Sequence, residues 1–480
     1  MEPPPPKTPN WKPKHAWAEF DRTGPPKRPA EKRVADFHEI YGLYDEATVR
    51  EQANRCIQCP EASCVTGCPL NNRIPEWVAL AAEGDFLKAA EISRSTSNMP
   101  EICSRVCPQE RLCEGACILN GRSEPICIGA IEKFINEYAL ARGVVQFSPA
   151  PSNGLKAAVV GSGPGGMACA DELAKLGYAV TLFESQALPG GLLMNGIPAF
   201  KLEKSIVERR LDLLRQRGVQ FLLGVTVGKD VSLDQLLSEF DAVFLGFGAQ
   251  KAKPLDIPGA ELNGVFQALP FLIEKNVSLP LEIAPLDVEG KRVVVLGGGD
   301  TAMDCLRTAI RAGAMEATCV YRRDLANMPG SRKEYVNAVE EGAQFLFLTN
   351  PVALESDSGG NVVAVRCVRM ELGEPDRSGR RKPRPIDGSE FVLPAEIVLV
   401  AYGFDPVPFP KESDLSRVAV NEWGGVIVDG NQMTSVPRVF SGGDASLGPS
   451  LVVHAVRDGR KAAQGIHAYL SKNLLARAGR

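Results

Sequence analysis

No apolar run in these 480 residues approaches the about 18 that a membrane-crossing helix needs, which argues against an integral membrane protein. Basic charge is not in excess: 54 Lys and Arg stand against 58 Asp and Glu, for a net charge of −4 and a pI near 5.8. A nucleic-acid binder is normally basic, so that class is set aside. Histidine is scarce, with four in the chain, and no Ser-His-Asp arrangement or carboxylate pair stands out. The opening residues, MEPPPPKTPNWKPKHAW, put prolines where a secretion signal has its apolar core. The expected compartment is therefore the reducing cytoplasm.

Cysteine is abundant by comparison. There are thirteen, and a reducing compartment favours metal or redox use over structural disulfides. Nine lie between Cys56 and Cys127, while Cys169, Cys305, Cys319 and Cys367 are scattered and read as small buried hydrophobes. Hydrophobic residues at 44% and charged residues at 23% are ordinary for a globular chain. The length suggests about three domains.

The Pro- and Lys-rich residues 1–30 read as an extended arm. From 31 to about 150 the pattern is helical with cysteine-bearing loops; 74–93 and 128–140 read as amphipathic helices, and 146–154 as a linker. Beyond 151, short β-branched strands ending in glycine turns alternate with Ala-rich helices, which signals parallel α/β architecture. The expected fold class is thus α/β: a helical cysteine domain followed by two Rossmann-like nucleotide-binding domains. The first of these is split, at 151–286 and 403–480, around a second at 287–402.

The strand–glycine-loop–helix pattern occurs twice. In the first copy Ala157–Val160 is followed by Gly161, Gly163 and Gly166, and a second strand, Ala179–Phe183, ends in Glu184. Glycines there allow a tight turn and close backbone approach to a pyrophosphate, the helix N-terminus offers N–H donors, and a terminal acid accepts ribose hydroxyls. A late strand running into Gly442-Gly443-Asp444, with a helix expected at Ser450–Ala463, is the kind of Gly-Asp that two-nucleotide flavoproteins place at the flavin. In the second copy Arg292–Leu296 leads into Gly297, Gly299, Asp300, Thr301 and Ala302, and the next strand, Ala317–Tyr321, ends in Arg322-Arg323. Guanidinium groups in the place of the acid suit a 2′-phosphate, so NADP(H) is expected over NAD(H). Asp300 and Asp304 suit the helix dipole and are given no proton chemistry. Hydride transfer between cofactors needs no catalytic acid or base from the protein. His454 is expected to serve packing or capping.

The cysteine domain carries Cys56-x2-Cys59-x4-Cys64-x3-Cys68-Pro69 and Cys103-x3-Cys107-Pro108-x4-Cys113-x3-Cys117. Four thiolates in a row followed by Pro resemble the ferredoxin pattern. Zinc is the alternative, but it favours paired C-x2-C knuckles and only one such pair occurs. A nicotinamide site, a flavin site and one-electron centres in one chain make an ordered relay whose outlet lies in another protein.

The stretches Cys56–Pro69, Pro100–Cys117, Ile128–Ile135, Gly190–Arg210, Val293–Arg311, Tyr321–Ser331 and Gly442–Ala463 together resemble the small (beta) subunit of bacterial NADPH-dependent glutamate synthase. Related modules occur in dihydropyrimidine dehydrogenase and in a flavin-bifurcating NADPH–ferredoxin transhydrogenase. The resemblance implies FAD, NADPH and two [4Fe–4S] clusters. It implies that Cys56, Cys59, Cys64 and Cys117 hold one cluster and that Cys68, Cys107 and Cys113 hold the other. The fourth ligand of the second is implied to be Glu132, with Cys103 as the competing thiolate. Gly190, Gly191 and Gly196-Ile197-Pro198 match the family loop beside the isoalloxazine. The implied partner is a large (alpha) subunit carrying FMN and a glutamine amidotransferase, in a hetero-oligomer. The rivals are an electron-input subunit of another system, a flavin disulfide reductase, and a zinc-stabilised interaction module.

Overall fold

The computed structural model describes residues 16–277, 286–375, 379, 381–407 and 409–478; residues 1–15, half of the expected arm, lie outside it. The chain forms two compact units. One takes residues up to Lys27, Tyr41–Phe147 and Leu451–Arg457; the other takes Arg28–Ile40, Ser148–Ser450 and the chain from Asp458.

The first unit is helical: Glu46–Asn54, Ile74–Glu83, Phe86–Thr96, Pro100–Val106 and Ile128–Ala141 are its main helices. Asp45 and Asp85 cap two of them, accepting from Thr48 N at 2.7 Å and Lys88 N at 3.1 Å. The single helix expected over 74–93 is two helices. Gly84, at φ +91°, takes the left-handed conformation that ends a helix, and its N–H bonds back to Ala81 O. Trp77, Val78, Ile131 and Ile135 are fully buried in the core between them. Phe86 meets Phe134 and Tyr138 edge-on, with both centroid separations 5.0 Å. Truncating a buried aromatic of this kind costs roughly 3–5 kcal/mol, so this small cluster is a main support of the cysteine loops.

The second unit holds two parallel five-stranded sheets. In the first the order is Val439–Ser441, Ala242–Leu245, Lys156–Val160, Ala179–Glu184, Gln220–Leu223; in the second it is Val265–Gln267, Ile397–Val400, Arg292–Leu296, Glu316–Val320, Gln344–Leu346. Their central strands, such as RVVVL and IVLV, are apolar almost throughout, as strands covered by helices on both faces must be. The first sheet takes its edge strand from the C-terminal part of the chain, so this domain is discontinuous. The second sheet reaches back to Val265–Gln267, and the helix Ala268–Asn276 joins its core. The second nucleotide domain therefore begins near residue 265, earlier than the 287 expected, because a three-residue edge strand carries little periodicity.

Two features were absent from the sequence reading. An antiparallel sheet of Thr349–Ser356, Val362–Pro375, Arg381–Pro385 and Phe391–Pro394 is appended to the second domain. Lys251–Ala252 pairs antiparallel with Phe404–Asp405 where the chain enters and leaves that domain. The helix expected at Ser450–Ala463 is present and runs further, Val452–Ala478, and a short helix, Asp444–Leu447, precedes it. Among the described residues no helix is long and apolar enough to cross a membrane.

Candidate functional site

The first nucleotide loop is built by close backbone packing. Gly161 sits at φ +93°, and a Cβ on Gly166 would lie 1.9 Å from Gly161 O, so the helix Pro164–Lys175 can only approach the strand with hydrogen at that position. A Cβ on Gly163 would meet nothing within 4 Å. That open space lies at the helix N-cap, where unpaired N–H groups and the dipole favour a pyrophosphate. Buried Ser162 ties the parts together: its N–H donates to Glu184 Oε2 at 3.0 Å, and Gly190 N–H donates to its Oγ at 2.8 Å. Glu184 also accepts from Ser162 Oγ, Ser185 Oγ and Gln186 N. Two of these donors are rotatable hydroxyls, which ribose hydroxyls can replace. Gly191 packs on the same loop, within 2.9 Å of Gly163 Cα for an added Cβ.

Gly443-Asp444 lies at the end of the edge strand of this sheet. Gly443 N–H donates to Asp458 Oδ2 at 3.1 Å, and Asp444 accepts from Ser450 N at 3.1 Å. Burial pushes the Asp444 carboxyl up to about 7, against the Ser450 bond and with the Asp458 charge adding. A Cβ on Gly459 would lie 2.1 Å from Gly165 O, so the long C-terminal helix rests directly on the start of the first nucleotide helix.

The second loop repeats the design. Gly299 is the N-cap of Asp300–Arg311, and a Cβ there would meet nothing within 4 Å. Thr301 is half-buried in the first turn. Asp300 Oδ1 accepts from Ser331 N at 2.8 Å, and Gly330 N donates to Gly298 O at 3.0 Å, which closes the 321–331 segment back onto the loop. The two arginines separate. Arg322 is exposed, at the sheet's C-terminal edge, and its charge acts on exposed Tyr402. Arg323 is buried, and its Nε donates to Arg381 O at 2.8 Å, so it anchors the appended hairpin.

The cysteines converge in two sets. Cys56, Cys59, Cys64 and Cys117 line one cavity of about 410 Å³, mouth included, walled by Ile74, Val78, Ile126 and Ile128. Burial raises Cys56 to about 11, and burial with the charges of Cys56, Cys117 and Cys59 raises Cys64 to about 12. Cys68, Cys107, Cys113 and Glu132 act electrostatically on one another. Burial raises Cys68 to about 11 and pushes Cys113 well up; Cys107 is raised first by its hydrogen bond with Cys103, then by burial. Glu132 is aimed by Asn72 Nδ2 at 2.9 Å and Ser93 Oγ at 3.2 Å, and burial lifts it to about 7 against those bonds. Cys103 belongs to the same neighbourhood: it hydrogen-bonds Cys107 and its charge, like that of Glu132, acts on Cys68.

Among the described residues no group of three or more His, Cys, Asp or Glu is arranged to hold a single metal ion. Four thiols lining one pocket are the soft donor set that a thiolate-held iron–sulfur cluster takes. All thirteen cysteines are free, and Cys169, Cys305, Cys319 and Cys367 are buried, with burial raising each thiol.

Sequence reasoning missed one group. Lys201 Nζ lies 2.9 Å from Asp304 Oδ1, and the buried Phe200 ring has the Arg307 and Arg311 guanidinium carbons 4.3 and 4.1 Å from its centroid. The signal lay in Ile197–Leu202 (IPAFKL), where Lys201 stands among apolar residues.

Comparison with known proteins agrees with this division. Residues 33–144 match the family described as dihydropyrimidine dehydrogenase domain II, 4Fe-4S cluster, and residues 155–459 match pyridine nucleotide-disulphide oxidoreductase. The chain is 44% identical to the glutamate synthase [NADPH] small chain of Escherichia coli K12, over 95% of this chain and 98% of that one. It is 46% identical to the corresponding small chain of Azospirillum brasilense, over 93% and 94%. It is also 46% identical to Escherichia coli K12 AegA, a protein named as an oxidoreductase, over 94% of this chain and 70% of AegA. Among solved structures, Mycobacterium tuberculosis FprA in complex with NADPH shares the fold, with a TM-score of 0.58 and 23% identity over 68% of this chain and 86% of that one.

Proposed function

The chain belongs to the family of the glutamate synthase [NADPH] small chains, and from that premise we propose that it is the electron-input subunit of a glutamate synthase. It is an NADPH-dependent oxidoreductase that uses FAD and 4Fe-4S clusters. When bound, NADPH supplies a hydride to FAD, and the clusters carry the electrons onward one at a time.

The residues that serve this are our assignment. Gly161, Gly163 and Gly166 admit the FAD pyrophosphate, Glu184 takes its ribose, and Gly191, Gly443 and Asp444 bound the rest of the flavin. Gly297, Gly299, Asp300 and Thr301 admit the NADPH pyrophosphate, and Arg322 meets its 2′-phosphate. Cys56, Cys59, Cys64 and Cys117 hold one cluster; Cys68, Cys107, Cys113 and Glu132 hold the other. We assign the flavin domain to two pieces of chain around the inserted nicotinamide domain. The outlet is FMN in a large subunit that also carries a glutamine amidotransferase, where 2-oxoglutarate and glutamine-derived ammonia become glutamate. Thirteen free cysteines suit the reducing cytoplasm.

The observation that carries this reading is the presence, in one chain, of two nucleotide loops and two converged thiol sets. The test is reconstitution. Mixed with its large subunit, the chain should make glutamate from glutamine and 2-oxoglutarate at the expense of NADPH. NADPH oxidation with dyes but none coupled to glutamate would favour a second reading, electron input to another oxidoreductase. The equal likeness to AegA supports that alternative.

A further inference from the structure

Two helices of the nicotinamide domain grip one loop of the flavin domain. From Ala268–Asn276, Asn276 Nδ2 donates to Gly196 O at 3.0 Å and to Asn195 O at 3.3 Å. From Asp300–Arg311, Asp304 pairs with Lys201 at 2.9 Å, and Arg307 and Arg311 cover the Phe200 ring. Lys201 also faces Glu334 Oε2 at 3.9 Å. The loop is stiffened from within: half-buried Lys204 donates from Nζ to Leu193 O and Ile197 O. From the far side, Ile40 N donates to Phe200 O at 3.2 Å, and Arg33 of the same segment meets Glu341 at 2.7 Å, the carboxylate that also holds Arg307 and Arg311.

This loop continues from Gly190-Gly191, which packs on the first phosphate loop, while Asp304 lies one turn beyond the second phosphate loop. Resting on the two-cofactor reading above, we propose that Lys201 is a positioning residue for hydride transfer: its ion pair with Asp304 sets the distance between the nicotinamide and flavin sites without contacting either cofactor. A buried pair suits this role. Its geometry is narrow, and breaking it leaves an uncompensated charge that displaces the loop instead of merely loosening it. Displacement of about 1 Å at a reacting centre can cost on the order of a hundredfold in rate.

The test uses the FAD-loaded full chain under anaerobic conditions, with Lys201→Met, Asp304→Asn, the double variant and Lys201→Arg. Three quantities are read: the Kd of NADP+ from flavin difference spectra, the rate of flavin bleaching by NADPH, and the long-wavelength charge-transfer absorbance between the two rings. In Lys201→Met and Asp304→Asn the bleaching rate should fall by about tenfold or more and the charge-transfer band should weaken, while Kd stays within about threefold. Lys201→Arg should recover most of the rate. If a single variant does not fold, the double variant removes both charges together and should show the same split. Unchanged bleaching with an unchanged band overturns the proposal, and so does a Kd that rises in step with the loss of rate, because that marks a binding contact. Failure of NADPH to bleach the unmodified protein would instead defeat the two-cofactor reading itself, and is recognised without any variant.

Discussion

Arg322 and Arg323 are adjacent in sequence and part company in the fold. Successive residues leaving a strand point to opposite sides, so one guanidinium faces solvent at the nucleotide edge and the other is buried under the hairpin. The doublet could be read from the sequence as a candidate phosphate site; the parting of its two members could not, because the hairpin that captures Arg323 comes from some 60 residues later. Charge-assisted bonds of this kind are worth about 1.5–3 kcal/mol. Arg322→Glu should therefore weaken NADPH binding by roughly 10- to 100-fold and leave NADH binding nearly unchanged, as checked by titrating each nucleotide. The two cysteine runs were readable from spacing, whereas the division of their thiols between two clusters, and Glu132 with it, came only through family likeness, since a carboxylate in an amphipathic helix carries no motif. Cys117→Ser should halve the iron content after anaerobic preparation, a loss of about four of eight irons. Cys103→Ser should leave iron unchanged, and Glu132→Ala should lower it. Full iron in Glu132→Ala with loss in Cys103→Ser would reverse that assignment.

Glycine contacts set what the elements can tolerate. The fingerprint strands and helices were evident from the sequence because each is an apolar run bounded by glycine; Gly161, Gly166 and Gly297 meet backbone, while Gly163 and Gly299 face open space. The appended hairpins were not: RKPRP is charged and proline-rich, and it forms a strand only because Val362–Pro375 offers it an edge. The long last helix runs past the expected Ala463 to Ala478, and its Gly459 is the point where it touches Gly165. Gly459→Val should drive the two helices apart at a cost of roughly 1–3 kcal/mol. The purified protein should then lose its yellow flavin while keeping its brown cluster absorbance. Retention of full FAD would show that the two helices can shift cheaply.

In the nucleotide-binding unit as a whole, buried charge is concentrated around Glu341. Burial alone would raise this carboxyl, but hydrogen bonds from Arg307 and Arg311 outweigh it and hold Glu341 at about 2, with Arg33 as a third partner. The unfolded chain titrates near 4.5, so the stabilisation is complete above 4.5 and is lost as the pH falls towards 2. That window corresponds to about 3 kcal/mol. Glu341→Gln should lower stability at pH 7 by roughly 3 kcal/mol, because buried Arg311 loses its carboxylate while Arg307 and Arg33 keep only Glu334 and Glu340. It should also flatten the acid limb of the unfolding profile, measured by denaturant melts at pH 7, 4 and 3. None of this network could be inferred from sequence, since Arg33 and Glu341 are separated by 308 positions.

The short ribbon of Lys251–Ala252 against Phe404–Asp405, continued by Lys253 N on Gly403 O at 3.0 Å, has a consequence for ancestry and engineering. The chain leaves the flavin body and returns to it at neighbouring points, so about 150 residues hang from a single doorway. Splicing them out would require a tight turn to seal the host and new cover for Lys201 and Phe200, which pack on the inserted domain. A body with a different coenzyme preference could be grafted in their place, as a cassette exchanged at one pair of joints.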